Sequence, residues 1–140
     1  MIVLDTDVLS IIQRADGPAY DRLVQRLDAA DDEVAVSIVS FEEQMRGWLA
    51  YVARSKTLNQ QIAGYAKLHA LLDDFTSRPV LDFDQDDAAE FERLIRLKLR
   101  LGTMDLRIAA ITLANNALLL SKNLTDFRKV PGLRVEDWTV

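Results

Sequence analysis

Four carboxylates far apart in the chain, Asp5, Glu43, Asp105 and Asp126, each stand where an apolar strand pattern ends or a helical pattern begins. Asp5 closes the run Ile2-Val3-Leu4, and Asp126 follows Leu118-Leu119-Leu120 by a few polar residues. Asp105 precedes the apolar stretch Ile108-Ala109-Ala110-Ile111 and would lie in its first turn, where the helix dipole favours a negative charge. Acids gathered on one rim repel each other, so their convergence is favourable only around a cation. Hard oxygen donors without His or Cys select Mg²⁺, or Mn²⁺ in its place, usually with waters completing the shell. Such a centre activates water and neutralises a phosphodiester. Thr6 and Ser121, beside the acids, are the hydroxyls that would orient carboxylates or substrate.

The rest of the composition removes other chemistries. There is no cysteine, which excludes disulfides, thiolate metal sites and Cys nucleophiles and suits a reducing cytosol. The single histidine, His69, falls in the series Leu58, Ile62, Tyr65, His69, Leu72 at helical spacing, which predicts a half-buried structural role. No apolar run approaches the roughly 18 residues of a membrane span. The chain passes from Met1 straight into Ile-Val-Leu-Asp without the charged and small-residue features of a secretory signal, so a cytoplasmic protein is expected. A net charge of −5 argues against a broad nucleic-acid-binding face. Residues 82–92 carry six acids and run into Arg93, Arg96, Lys98 and Arg100; this reads as a solvated helix, with a local basic edge as the functional alternative.

These groups need a scaffold, and the pattern supplies one. At 140 residues, 49% of them hydrophobic, residues 1–140 read as one domain. Short apolar runs at 2–4, 34–36, 80–83 and 118–120, with a last one at 133–138, alternate with longer helical patterns. That alternation predicts an α/β fold: a short parallel sheet of four to five strands flanked by helices on both faces. In such sheets ligands collect at the carboxyl ends of the strands. Asp7 reads there as a helix cap, and Thr103 as the cap of the 104–116 helix. Glu43 lies about 200° round the helix from Phe41, with Gly47 and Ala50 on its own face, where small side chains leave the carboxylate approachable. Glu42 lies nearer the buried side.

In order and spacing, Ile-Val-Leu-Asp5-Thr6-Asp7, Glu43-x-x-x-Gly47, Asp105-Leu-Arg-Ile-Ala-Ala110 and Leu-Ser121-x-Asn123-x-x-Asp126-Phe127, followed by Val-Pro-Gly-Leu-Arg-Val-Glu-Asp-Trp138, resemble the PIN-domain ribonucleases, and most closely the VapC toxins of type II toxin–antitoxin pairs. The resemblance spans essentially the whole chain. It implies a PIN-like fold, Mg²⁺-dependent endonucleolytic cleavage of RNA, often tRNA, a cognate antitoxin that blocks the site, and a homodimer. Asp5, Glu43 and Asp105 fall on the acidic positions of the family and would be its metal ligands. For the fourth position, relatives often carry an acid where this chain has Asn123, and Asp126 is the substitute.

Two other readings compete. Val-Leu-Asp5-Thr6-Asp7-Val8 also resembles the opening of haloacid-dehalogenase-type phosphatases, with Asp5 as nucleophile, Asp7 as general acid and Ser37 as the hydroxyl motif, although residues 102–127 fit that pattern poorly. The second is a PIN-like module that binds without catalysis.

Overall fold

Each central strand consists of about three apolar residues whose side chains alternate between two cores, as the period of two requires. The computed structural model describes residues 1–140. In β1 (Ile2–Leu4), Val3 enters one core while Ile2 and Leu4 enter the other. In β4 (Leu118–Leu120), Leu119 joins Val3 and Leu120 joins Ile2 and Leu4. A strand covered on both faces has no solvated side, which is why these runs are continuously apolar. The remaining strands are β2 (Val34–Ser37), β3 (Val80–Leu81) and β5 (Arg134–Glu136). All pair in parallel, in the order β3-β2-β1-β4-β5. The expected parallel sheet flanked by helices on both faces is therefore the observed one.

The helices are α1 (Thr6–Arg14), α2 (Gly17–Ala30), α3 (Ile38–Arg54), α4 (Leu58–Thr76), α5 (Gln85–Arg96), α6 (Thr103–Ala114) and α7 (Leu124–Phe127). Leu94 of α5 and Ile108, Ala109 and Ile111 of α6 fill the core under Val3. Val8 and Leu9 of α1, Leu23 of α2, and Leu71 and Phe75 of α4 fill the other. Crossovers from β1 lead to β2 on one side, and β4 lies on the other, so the carboxyl ends of β1 and β4 form the crevice where ligands collect in this architecture.

Several local expectations need correction. The strand expected over 80–83 stops at Leu81, and Phe83 instead packs edge-on against Phe91 with ring centroids 5.9 Å apart. The last strand covers only Arg134–Glu136 of the expected 133–138. Thr103 is the first residue of α6 rather than its cap; Gly102 holds the cap position with no side-chain hydrogen bond. Helix α7 falls among the polar residues after 118–120, where no helix was expected. His69 is not half-buried: its side chain is 77% exposed and lies 3.8 Å from Asp73. The acid-to-base switch at 82–100 is largely the solvated helix α5, laced by pairs such as Arg93–Glu90 at 2.9 Å.

Candidate metal centre

The register of β1 against β4 sets Leu4 beside Leu120, so the next residues, Asp5 and Ser121, leave the sheet side by side. The Asp5 amide donates to the Leu120 carbonyl at 2.9 Å, continuing the ladder. Ser121 Oγ donates to Asp5 Oδ2 at 2.7 Å and itself accepts from the Asn123 amide at 2.9 Å, which fixes the direction of its hydroxyl. Asp5 Oδ1 accepts from the Thr6 amide at 2.8 Å. Asp5 is thus the cap of α1, the role expected of Asp7, and only 6% of its surface is exposed.

On the other side of β1, β2 delivers the chain into α3 through Ser37, whose Oγ accepts from the Ser40 amide at 3.2 Å. This brings Ser40 and Glu43, one turn apart, up against the first turn of α1. Thr6 Oγ1 lies 2.9 Å from Ser40 Oγ and 3.0 Å from Glu43 Oε1, where it acts as donor. Glu42 turns away and pairs with Arg46 at 2.6 Å. Gly47 has open space where a Cβ would be, consistent with an approachable face above Glu43.

Asp7 lies in the first turn of α1 and joins this group. Its Oδ2 accepts from the Lys122 amide at 3.1 Å, while its Oδ1 is buried without a hydrogen-bond partner. Asp105 is half-buried in the first turn of α6. Electrostatics link these acids. Burial, then the charge of Asp7, pushes the Asp5 carboxyl up to about 7, with Asp105 adding and the Ser121 and Thr6 hydrogen bonds opposing. Burial raises Glu43 too; Thr6 opposes the shift, and the charges of Asp105 and Asp7 reinforce it. Asp105 is raised by burial, then by Asp126 and Asp7. Asp7 itself is raised by burial, against the Lys122 amide.

Asp126 is different. Its carboxylate accepts from Asn123 Nδ2 at 3.1 Å and from Lys129 Nζ at 3.0 Å, and these two contacts hold it below the usual carboxylate range. Its charge reaches Asp105, but it is already matched. No ion pair of this kind involves Asp5, Asp7, Glu43 or Asp105.

The donor chemistry of these four suits a hard divalent cation. All are oxygens, one is buried and unpartnered, and hydroxyls orient two of the carboxylates. The fit is one of chemistry rather than of preformed geometry, since no three acids converge closely enough to hold an ion as they stand. Asp7 and Ser40 were missed in the sequence. The signal for Asp7 was its place in the first turn of the helix that starts at the strand end. For Ser40 it was the i−3 spacing from Glu43.

With this geometry in view, the similarities of the chain become specific. The PIN domain family model matches residues 2–133. The chain belongs to the PIN-domain family. It is 29% identical to Ribonuclease VapC2 of Rickettsia felis over 143 residues, covering 97% of this chain and 96% of that protein. A solved structure of VapBC2 from Rickettsia felis, bound to a DNA fragment from their promoter, shares 30% identity over 99% of each chain at a TM-score of 0.69. VapBC-1 from nontypeable Haemophilus influenzae aligns over the full length of both chains at a TM-score of 0.73, and at 22% identity this likeness concerns the fold alone. The phosphatase alternative loses its hydroxyl motif in this PIN domain, because Ser37 Oγ is committed to capping α3. No helix is long and apolar enough to cross a membrane.

Proposed function

We propose that this chain is a metal-dependent endoribonuclease of the VapC type, the toxin of a toxin–antitoxin pair, acting in the cytoplasm. Its substrate is RNA, with tRNA as the class that the family resemblance implies. Its cation is Mg²⁺ or Mn²⁺, held by Asp5, Glu43 and Asp105, with Asp7 supplying the further negative charge that the Lys129-paired Asp126 does not offer. The observation that carries this reading is a rim of four acids, partly or wholly buried, with no cationic side chain paired to any of them. Burying unmatched carboxylates is costly, so a fold retains such a group where a cation or a reacting phosphate uses it.

When bound, the cation would activate water and offset charge on the phosphodiester. The residues of the chain prepare that chemistry. Ser121 and the Thr6 amide fix both Asp5 oxygens, Thr6 Oγ1 fixes Glu43, and the Lys122 amide holds one Asp7 oxygen so that the other stays buried. These contacts limit the motion of each carboxylate separately, which lessens the cost of ordering it on binding. A protein partner, the cognate antitoxin or a second copy in a homodimer, is supported by a stripe on α4 where Leu58, Ile62, Tyr65 and Leu72 are 75, 66, 60 and 54% exposed.

Purified Asp5→Asn and Asp105→Asn are each expected to cut RNA about 100-fold more slowly or worse, while circular dichroism and antitoxin binding stay essentially unchanged. Undiminished cleavage by both would refute the site. A wild type with no metal-dependent cleavage of total RNA would favour the non-catalytic module.

A further inference from the structure

A groove of about 930 Å³ opens between α1, α3 and α4, directly beside the acidic rim. Ser10 stands at its near end, where its hydroxyl donates to the Thr6 carbonyl at 2.9 Å, and Gln44 is the neighbour of Glu43. From there the groove follows α3 past Gly47, Trp48 and Tyr51 to Arg54. Arg54 lies eleven positions after Glu43, so the groove extends roughly 16 Å from the carboxylates along the helix axis.

Its charge runs against that of the molecule. The chain has 22 acids and 17 Lys and Arg, yet the lining holds Arg14, Arg54, Lys67 and Arg78 against a single acid, Asp74. Asp74 is already spent on Arg78, which it binds through both oxygens at 2.8 and 3.0 Å, and on Gln13. Arg14, Arg54 and Lys67 have no acidic partner. Two of these cations sit over aromatic faces, Arg54 5.6 Å from the Tyr51 centroid and Lys67 5.8 Å from that of Trp48. The two rings meet edge to face at 5.7 Å. Unpaired cations interleaved with aromatic rings are the pattern that takes a single-stranded polyanion with stackable bases. An amphipathic protein helix would also find apolar area on this floor, but it would match Arg14, Arg54 and Lys67 only if it were acidic, whereas any RNA brings phosphates.

We propose that this groove carries the single-stranded RNA flanking the scissile phosphate, with Arg54 and Lys67 as phosphate contacts. The proposal rests on the RNA substrate argued above, but it concerns binding and is tested apart from cleavage. The experiment measures fluorescence anisotropy of a labelled 20-nucleotide single-stranded RNA in EDTA, so that no metal-dependent step intervenes. It compares wild type, Arg54→Gln with Lys67→Gln, and Arg93→Gln with Arg96→Gln on α5 as a control of equal charge change. The groove variant is expected to bind about 10-fold more weakly at low salt. Losing two phosphate contacts should also lower the slope of log affinity against log salt by about 1.4. With metal present, KM should rise and kcat hold. Equal affinity and slope for wild type and groove variant overturn the proposal, as does an equal loss in the control. Retained RNA affinity with loss of antitoxin binding overturns it too, assigning the groove to a protein. RNA binding that depends on the groove in a wild type that cleaves nothing supports the groove and defeats the nuclease reading.

Discussion

Asp5 ends a buried strand, caps α1 and accepts the buried hydroxyl of Ser121, and these roles together keep its carboxylate in place at a cost. Because the folded state holds its proton up to about pH 7 and the unfolded chain releases it near 3.8, the folded protein binds more protons across that window. Stability without divalent cation should therefore fall as pH rises from about 4 to about 7 and level off above. Asp87, raised to about 6 chiefly by burial, acts in the same sense but ends sooner. Thermal melts in EDTA should thus show Tm still declining between pH 6 and 7.5, and Asp5→Asn should remove most of that upper decline. An unchanged profile in the variant would mean that Asp5 is not the buried titrating group. A second comparison ranks the remaining acids: calorimetric Mn²⁺ affinity should drop about 10-fold or more in Asp7→Asn and change little in Asp126→Asn. The reverse order would return the fourth place to Asp126.

At the scale of elements, α4 shows why part of the fold was legible and part was not. Its helical span was plain from residues 58–75, but it carries two apolar stripes. One runs through Leu58, Ile62, Tyr65, His69 and Leu72; the other, through Gly64, Leu71 and Phe75, is the buried one. Periodicity shows that residues share a face without saying which face meets the core, so His69 reads as half-buried when it is exposed. The three-residue strands at 2–4 and 118–120 were readable because a strand buried on both faces is apolar throughout. The ends of β3 and β5 were not, because pairing with a neighbour, rather than composition, sets where they stop. Asp5 and Asp105 stand out as candidates in the sequence by their places at a strand end and a helix start, and Glu43 by the open face above it. Asp7 was hidden because a helix cap and a site acid look alike three residues after a strand. The glycines of this pair of helices give a direct test. A Cβ on Gly64 would lie 2.5 Å from Val52 Cγ2 and 2.9 Å from Tyr51 Cδ1, and a β-branched valine has little freedom to yield. Gly64→Ala should destabilise by about 1–3 kcal/mol, read as a lower urea midpoint. Gly47→Ala, with nothing near the added methyl, should stabilise by about 1 kcal/mol. If both shift the midpoint alike, the packing of α3 on α4 is not as described.

For the whole molecule, the acids of the rim come from separate parts of the fold: Asp5 and Asp7 from the start of α1, Glu43 from α3, and Asp105 from α6 across the sheet. The two cores beneath them are distinct, one under α5 and α6 and the other under α1, α2 and α4. A cation shared by these residues would add a tie between α1, α3 and α6, of which α1 and α3 already meet through the Thr6 hydrogen bonds to Ser40 and Glu43, and it would bind the folded chain alone, because the unfolded chain separates the donors. Linkage then requires that the ion stabilise the fold, by about 2.7 kcal/mol at 100 times its Kd. For a chain of this length that is roughly 9 °C in Tm. Differential scanning calorimetry with rising Mg²⁺ or Mn²⁺ should show a progressive upward shift for the wild type. Asp105→Asn should lose most of that response, because it removes the donor contributed by α6. Asp126→Asn should keep it, since the Asp126 charge is already met by Lys129. A Tm independent of either metal up to about 20 mM, in a protein that still melts cooperatively, would leave the rim an acidic surface without its ion.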